Sequence, residues 1–167
     1  MKQKKSTKIQ PRVSIICGSS SDYNLVRETE KILKKLKIKF DTRIVSAHRT
    51  PRRMFDWATN LHKKYTCCIA FAGGSASLPS VTAALSQGIP TIGVPVETSK
   101  LKGLDSILSM CMCPQGCPLA TMPIGKAGAI NAALFAAEII GTFDHKVKAN
   151  VLRWKKNQTQ SVKKRPK

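Results

Sequence analysis

The sequence predicts an α/β fold, a three-layer α/β/α sandwich around an open parallel sheet. Three observations predict it. Short apolar runs alternate with amphipathic helical stretches along the body of the chain. The runs VSIIC and CCIAFA are almost wholly apolar, which suits strands buried on both faces. At 167 residues the chain has room for one domain with a sizeable core.

Each element has its own signal. Residues 13–17 form the first strand, stopped by Gly18. Asp22 is placed to cap a helix over 23–36, where Leu25, Ile32 and Leu36 recur at helical spacing and the intervening lysines face water. Residues 40–46 read as the second strand. Pro51 suits a first helical turn and opens a helix to about 64, with Met54, Trp57, Ala58 and Leu61 on one face. Residues 67–72 are the third strand, ended by Gly73 and Gly74. A short helix follows over 78–86, then a strand over 91–96 and a short helix over 104–110. Residues 120–123 read as a short fifth strand, and 125–140 as a helix rich in Ala and Gly. A basic helix over 145–160 closes the domain, and 161–167 read as a frayed end. The domain is thus 12–160, between a basic tail over 1–11 and a basic tail over 161–167. Right-handed crossovers give the sheet a flavodoxin- or Rossmann-like order.

The net charge is +20. Residues 1–12 carry five basic residues and 145–167 carry nine, with no acid in either. The body between holds fifteen basic residues and all nine acids, a net of +6. Such ends suit nucleic acid, but no aromatic platform accompanies them, so they are expected to be solvated. No apolar run reaches 18 residues, so no membrane span is expected. The basic start is followed by too short an apolar run for a signal peptide, so a cytoplasmic protein with reduced thiols is expected. Cys17, Cys67 and Cys68 lie in apolar runs and read as core. Cys111, Cys113 and Cys117 have a C-x-C-x-x-x-C spacing without an obvious fourth ligand, so no metal site is expected.

Ligands of open parallel sheets sit at the carboxyl ends of the strands. Three loops fall there. Residues 18–22 (GSSSD) can hold a phosphate on backbone N–H groups and hydroxyls. The stretch lacks the Lys of a Walker loop and the spacing of a dinucleotide fingerprint. Residues 46–51 (SAHRTP) place His48, the natural proton carrier near neutral pH, beside Arg49 and two hydroxyls. Residues 72–79 (AGGSASLP) allow close backbone approach. Asp22 is the only acid in the three loops, which argues against a two-carboxylate glycosidase. No Gly-x-Ser-x-Gly elbow is present. His62 and His145 lack comparable neighbours and read as surface residues. The toolkit fits proton transfer on a phosphorylated small molecule.

Taken in order, GSSSD, SAHRTP, AGGSASLP, GVPV and IGKAGAINAA closely resemble the PurE family of purine biosynthesis. The resemblance covers about 12–157, and its spacing is similar to that of the stand-alone, bacterial-type N5-carboxyaminoimidazole ribonucleotide mutases. It implies transfer of a carboxylate from N5 to C4 of an aminoimidazole ribonucleotide, without metal, ATP or organic cofactor. It implies that His48 is the general acid and base. Ser19, Ser46 and Arg49 would hold the ribose phosphate, with Ser21 beside them, and Asp22 the ribose hydroxyls. Gly73, Gly74, Ser75, Ser77 and Leu78 would enclose carbon dioxide. It also implies a homo-octamer with sites at subunit boundaries and the C-terminal helix on a neighbouring subunit. The chain departs from the family in two places. The family's Ala-Ala-His-Leu-Pro-Gly reads Ser75-Ala76-Ser77-Leu78-Pro79-Ser80, so Ser77 replaces a histidine. The family's Met-Pro-Arg-Gly-x-Pro reads Cys113-Pro114-Gln115-Gly116-Cys117-Pro118. Two alternatives remain open here. One is a carboxylase using free carbon dioxide. The other is an impaired homologue that binds nucleotide or nucleic acid through its basic ends.

Overall fold

A computed structural model describes residues 12–165. The expected tail over 1–11 lies outside the described residues. Five strands form one parallel sheet: β1 (Arg12–Cys17), β2 (Lys39–Ile44), β3 (Cys67–Ala72), β4 (Thr91–Pro95) and β5 (Ala120–Thr121). Their spatial order is β2-β1-β3-β4-β5, and every pair is parallel. The helices are α1 (Tyr23–Lys35), α2 (Pro51–Thr59), α3 (Ser77–Leu85), α4 (Leu104–Cys111), α5 (Gly125–Gly141) and α6 (His145–Ser161). This is the three-layer, flavodoxin-like arrangement that the alternation predicts.

The period-2 alternation of β3 shows how the layers are built. Cys67, Ile69 and Phe71 point into a core with Val26, Leu33 and the small residues of α5. Cys68, Ala70 and Ala72 point the other way, against Met54, Ala58, Leu78 and Met110. The three cysteines of the strands are fully buried, as expected. Burial pushes the Cys17 thiol up to about 11, with Asp22 adding to it, and the Cys67 and Cys68 thiols up to about 12. They are inert packing groups.

Several boundaries differ from expectation. β2 ends at Ile44, two residues early, because Val45 already turns inward and Ser46 begins a tight loop. α2 ends at Thr59, and a 3₁₀ turn over Leu61–Lys63 carries the chain on to bury Leu61. α3 starts one residue early, at Ser77. The buried stripe of α1 is Val26, Thr29, Glu30 and Leu33, with Leu36 just beyond, while Leu25 and Ile32 flank it half-buried. Two polar members of that stripe are satisfied: Thr29 donates to the Ala129 carbonyl at 2.6 Å, and Glu30 accepts from Thr42 at 2.6 Å. α6 packs on α5 through Val147 and Val151. His62 and His145 are exposed. No described helix is long and apolar enough to cross a membrane.

Candidate active site

In this strand order, β1 and β3 are neighbours whose chains leave the sheet in opposite directions. That is the switch point where such folds form a crevice. A cleft of about 460 Å³ lies there. Of the residues expected from sequence, Ser19, Asp22, Ser46, His48, Arg49, Gly73, Ser77 and Leu78 line it.

The first loop is a 3₁₀ turn over Ser20–Asp22. Its cap is Ser19, which accepts from the Ser21 N–H at 3.3 Å. The expected cap, Asp22, makes no capping bond to α1. Its carboxylate instead accepts from the Ser21 hydroxyl at 3.1 Å and lies along the cleft. Burial raises the Asp22 carboxyl above the ordinary aspartate range. Hydrogen bonds from Ser21 and Ser19 and the nearby Arg49 charge oppose that rise without cancelling it. Ser21 does not line the cleft, because its hydroxyl is spent on holding Asp22.

The second loop is cross-braced. Ser46 and Thr50 exchange two bonds, the Ser46 N–H to Thr50 Oγ1 at 3.0 Å and the Thr50 hydroxyl back to the Ser46 carbonyl at 2.9 Å. Ser46 Oγ accepts from the Arg49 N–H at 3.1 Å. This tight loop throws the His48 and Arg49 side chains outward. Arg49 reaches the Gly18 carbonyl at 3.3 Å, tying the second loop to the first. His48 Nε2 lies 2.9 Å from Ser77 Oγ, tying the second loop to the third. Ser77 therefore sets the ring orientation of His48 from the position where the family resemblance places a histidine.

The third loop is strained and pinned. Gly74 has φ +70° and Ala76 has φ +38°, both left-handed. An alanine in that region costs free energy that its surroundings must offset. The offset comes from α4. Fully buried Ser106 accepts from the Gly74 N–H at 3.0 Å and donates to the Val96 carbonyl at 2.8 Å. Ser109 donates to the Ser75 carbonyl. Gly74 and Ser75 therefore do not line the cleft, since their backbone groups point to α4.

Sequence reasoning missed the fourth wall. Val96, Glu97 and Thr98, just past β4, also line the cleft. Glu97 is a second carboxylate beside Asp22. The carboxyl-end rule applied to β4 would have found it, but 91–96 read only as strand. Thr98 is held by donating to Asp105 at 3.0 Å. Among the described residues, no group of three or more His, Cys, Asp or Glu is placed to hold a metal ion.

A polar crevice at the β1/β3 switch point, braced from three loops around one histidine, places this chain among the flavodoxin-like α/β proteins. A family model described as AIR carboxylase matches residues 12–161. The chain is 44% identical to an N5-carboxyaminoimidazole ribonucleotide mutase of Brucella melitensis, over 92% of this chain and 95% of the relative. It is 43% identical to the enzyme of that name from Bacillus subtilis, with the same coverage. Among solved structures, Treponema denticola PurE superposes with a TM-score of 0.81 at 28% identity, covering 90% of this chain and 92% of that one. The chain belongs to the AIR carboxylase family, of which PurE is part.

Proposed function

We propose that this chain is an N5-carboxyaminoimidazole ribonucleotide mutase of purine biosynthesis. The observation that carries the reading is His48, set by Ser77 at the switch-point cleft of a chain 44% identical to such a mutase.

The chemistry needs one positioned proton carrier. Protonated His48 gives its proton to N5 as the N5–carboxylate bond breaks, and the bonding pair stays on nitrogen. Carbon dioxide is released into the cleft. Ring carbon C4 attacks it, forming the new carbon–carbon bond. Neutral His48 then removes the C4 hydrogen as a proton, and the ring regains its aromaticity. The histidine ends as it began, and no co-reactant is consumed. A group doing such proton transfers contributes about 100- to 10,000-fold.

The other residues bind and orient. Ser19, Ser46 and Arg49 hold the ribose phosphate, where hydroxyls and a guanidinium make charge-assisted bonds. Asp22 accepts from the ribose hydroxyls. Gly73, Ser77 and buried Leu78 wall the space for carbon dioxide. Gly74, Ser75 and Ser21 support these groups rather than touch the ligand. His48 and Arg49 are exposed in the single chain. A homo-octamer whose subunit boundaries cover the cleft, with part of α6 on a neighbour, supplies the exclusion of water that keeps carbon dioxide in place.

The test is conversion of N5-carboxyaminoimidazole ribonucleotide to its C4-carboxylated isomer without added bicarbonate. The wild-type protein is expected to turn over, and His48→Asn to lose about 100- to 10,000-fold of the rate. Strict dependence on bicarbonate would instead indicate a carboxylase using free carbon dioxide. No turnover by folded wild-type protein would sink the reading.

A further inference from the structure

The loop between α4 and β5 carries two thiols that the proposed mutase does not use. Residues 113–118 read Cys-Pro-Gln-Gly-Cys-Pro, with cysteine at the family's Met and at its variable position. The Cys117 N–H donates to the Pro114 carbonyl at 3.1 Å, and Gly116 has φ +88°. That is a β-turn with glycine at the position needing positive φ. Such a turn brings the Cα atoms of Pro114 and Cys117 within about 7 Å, and Cys113 directly precedes Pro114, so the chain doubles back between the two cysteines. Cys117 is the last residue of this turn and Cys113 stands just before its first, near enough that Cys117 adds to burial in pushing the Cys113 thiol up. Both are partly exposed, so solvent and small thiols reach them, whereas Cys17, Cys67 and Cys68 are fully buried.

The loop is joined to the third cleft loop at two points. Cys117 Sγ donates to the Ser80 carbonyl at 3.2 Å. Ser80 in turn donates to the Ser77 carbonyl at 2.9 Å, and Ser77 is the partner of His48. At the other end, the loop leaves α4, whose Ser106 and Ser109 hold Gly74 and Ser75.

We propose that Cys113 and Cys117 are a reversible dithiol–disulfide site, and that closing it loosens the Ser77 end of the cleft. The oxidant is a low-molecular-weight disulfide such as glutathione disulfide. One cysteine thiolate attacks its sulfur, forming a mixed disulfide and releasing one glutathione. The second cysteine attacks the protein-bound sulfur, closing the protein disulfide and releasing the second glutathione. The two thiol protons leave with the released glutathiones, so two cysteines are oxidised and one disulfide is reduced. In the disulfide, Cys117 has no S–H to donate to Ser80. The first turn of α3, which carries Ser77, loses a tether. The part of this proposal that concerns activity rests on the mutase reading, whereas the bond itself does not.

The test treats the purified full chain with excess glutathione disulfide under native conditions, then alkylates it and measures the intact mass. Cys111 is also exposed, so the decisive proteins carry Cys111→Ser. Cys111→Ser is expected to lose two hydrogens with no retained glutathione, and Cys113→Ser and Cys117→Ser, each made in Cys111→Ser, to stop as glutathione adducts. In the mutase assay, KM of the oxidised wild type is expected to rise about 2- to 10-fold, the range that one net hydrogen bond supports. Dithiothreitol should restore it, and the double Cys113→Ser, Cys117→Ser variant should not respond. Stable glutathione adducts on Cys111→Ser, or a disulfide abolished by Cys111→Ser, overturn the site. An internal disulfide with unchanged KM overturns its link to the cleft. Reduced protein without turnover would refute the mutase reading, while the mass result would still decide the bond.

Discussion

Asp22 is a cleft residue whose carboxyl is shifted by its surroundings. Burial raises its carboxyl, and the Ser21, Ser19 and Arg49 contacts only partly bring it back. A carboxyl with a raised value takes up its proton at a higher pH than an ordinary aspartate. Once protonated, it loses the charge that strengthens the bonds to ribose hydroxyls proposed for it. The expected outcome is a wild-type KM that rises on acidification, at a higher pH than an ordinary aspartate would allow. Asp22→Asn should have a KM about tenfold higher at neutral pH, as expected for loss of a charged hydrogen bond. Its KM should be flatter with pH. Steady-state kinetics of both proteins from weakly acidic to neutral pH checks this. A variant profile that keeps the wild-type acid limb would place the titration on another group.

At the scale of elements, one carboxylate ties the edge strand β2 to its neighbours beyond its ladder with β1. Asp41 accepts from Arg12 on β1 at 3.0 Å, from Tyr65 just before β3 at 2.8 Å, and pairs with Lys64 at 3.0 Å. Burial pushes its carboxyl up, but the Lys64 and Tyr65 bonds and the Arg12 charge outweigh it and leave it below the ordinary range. A lowered carboxyl stabilises the fold above its unfolded value, and that stability is lost as pH falls through the folded value. Asp41→Asn should therefore cost about 1 kcal/mol in urea unfolding at neutral pH. The gap to wild type should close at strongly acid pH, and a gap that stays constant would assign the loss to packing. The start of α5 is a steric matter instead. A Cβ at Gly128 would sit 1.7 Å from the Pro123 carbonyl oxygen, a backbone atom that no side-chain rotation can move aside. Gly128→Ala should destabilise by about 3 kcal/mol or more, at or beyond the upper end of overpacking costs. A thermal melt within about 2 °C of wild type would refute that contact.

These elements also show what a sequence can and cannot reveal. The strands and the switch-point loops were legible because burial on both faces leaves a continuous apolar run, and Gly, Ser and His gather at the run's end. The capping role of Ser19 was not legible, because Asp22 and Ser19 are equally good capping types and only the 3₁₀ turn decides between them. The break in α2 at Thr59 was missed because the apolar stripe continues to Leu61 while the backbone does not. Glu97 and Thr98 follow the carboxyl end of β4, where the same rule that picked the other loops applies, but the run 91–96 reads as strand and hides that the strand ends at Pro95.

For the whole molecule, the open question is what the +20 charge does. The cleft carries its own cation in Arg49, braced against Gly18. Most of the excess lies instead at the ends of the chain. Removing residues 1–11 and 162–167 takes away eight positive charges and no acid, while Ser161 still closes α6. Charges further than about 10 Å from a ligand are largely screened at 0.1 M salt. Truncation is expected to leave kcat/KM within about twofold at that ionic strength, because the binding contacts proposed above all come from the loops 18–22, 46–51 and 72–79. At low salt the two proteins diverge only if the ends steer the anionic substrate towards the cleft, which would show as a loss of on-rate that salt erases. The same pair of proteins tests the nucleic-acid alternative. Affinity for single- or double-stranded DNA that falls steeply with salt in the full chain and vanishes on truncation would assign the ends to a second partner. Equal and weak binding by both proteins leaves them as solvated ends on an enzyme whose chemistry is confined to the β1/β3 crevice.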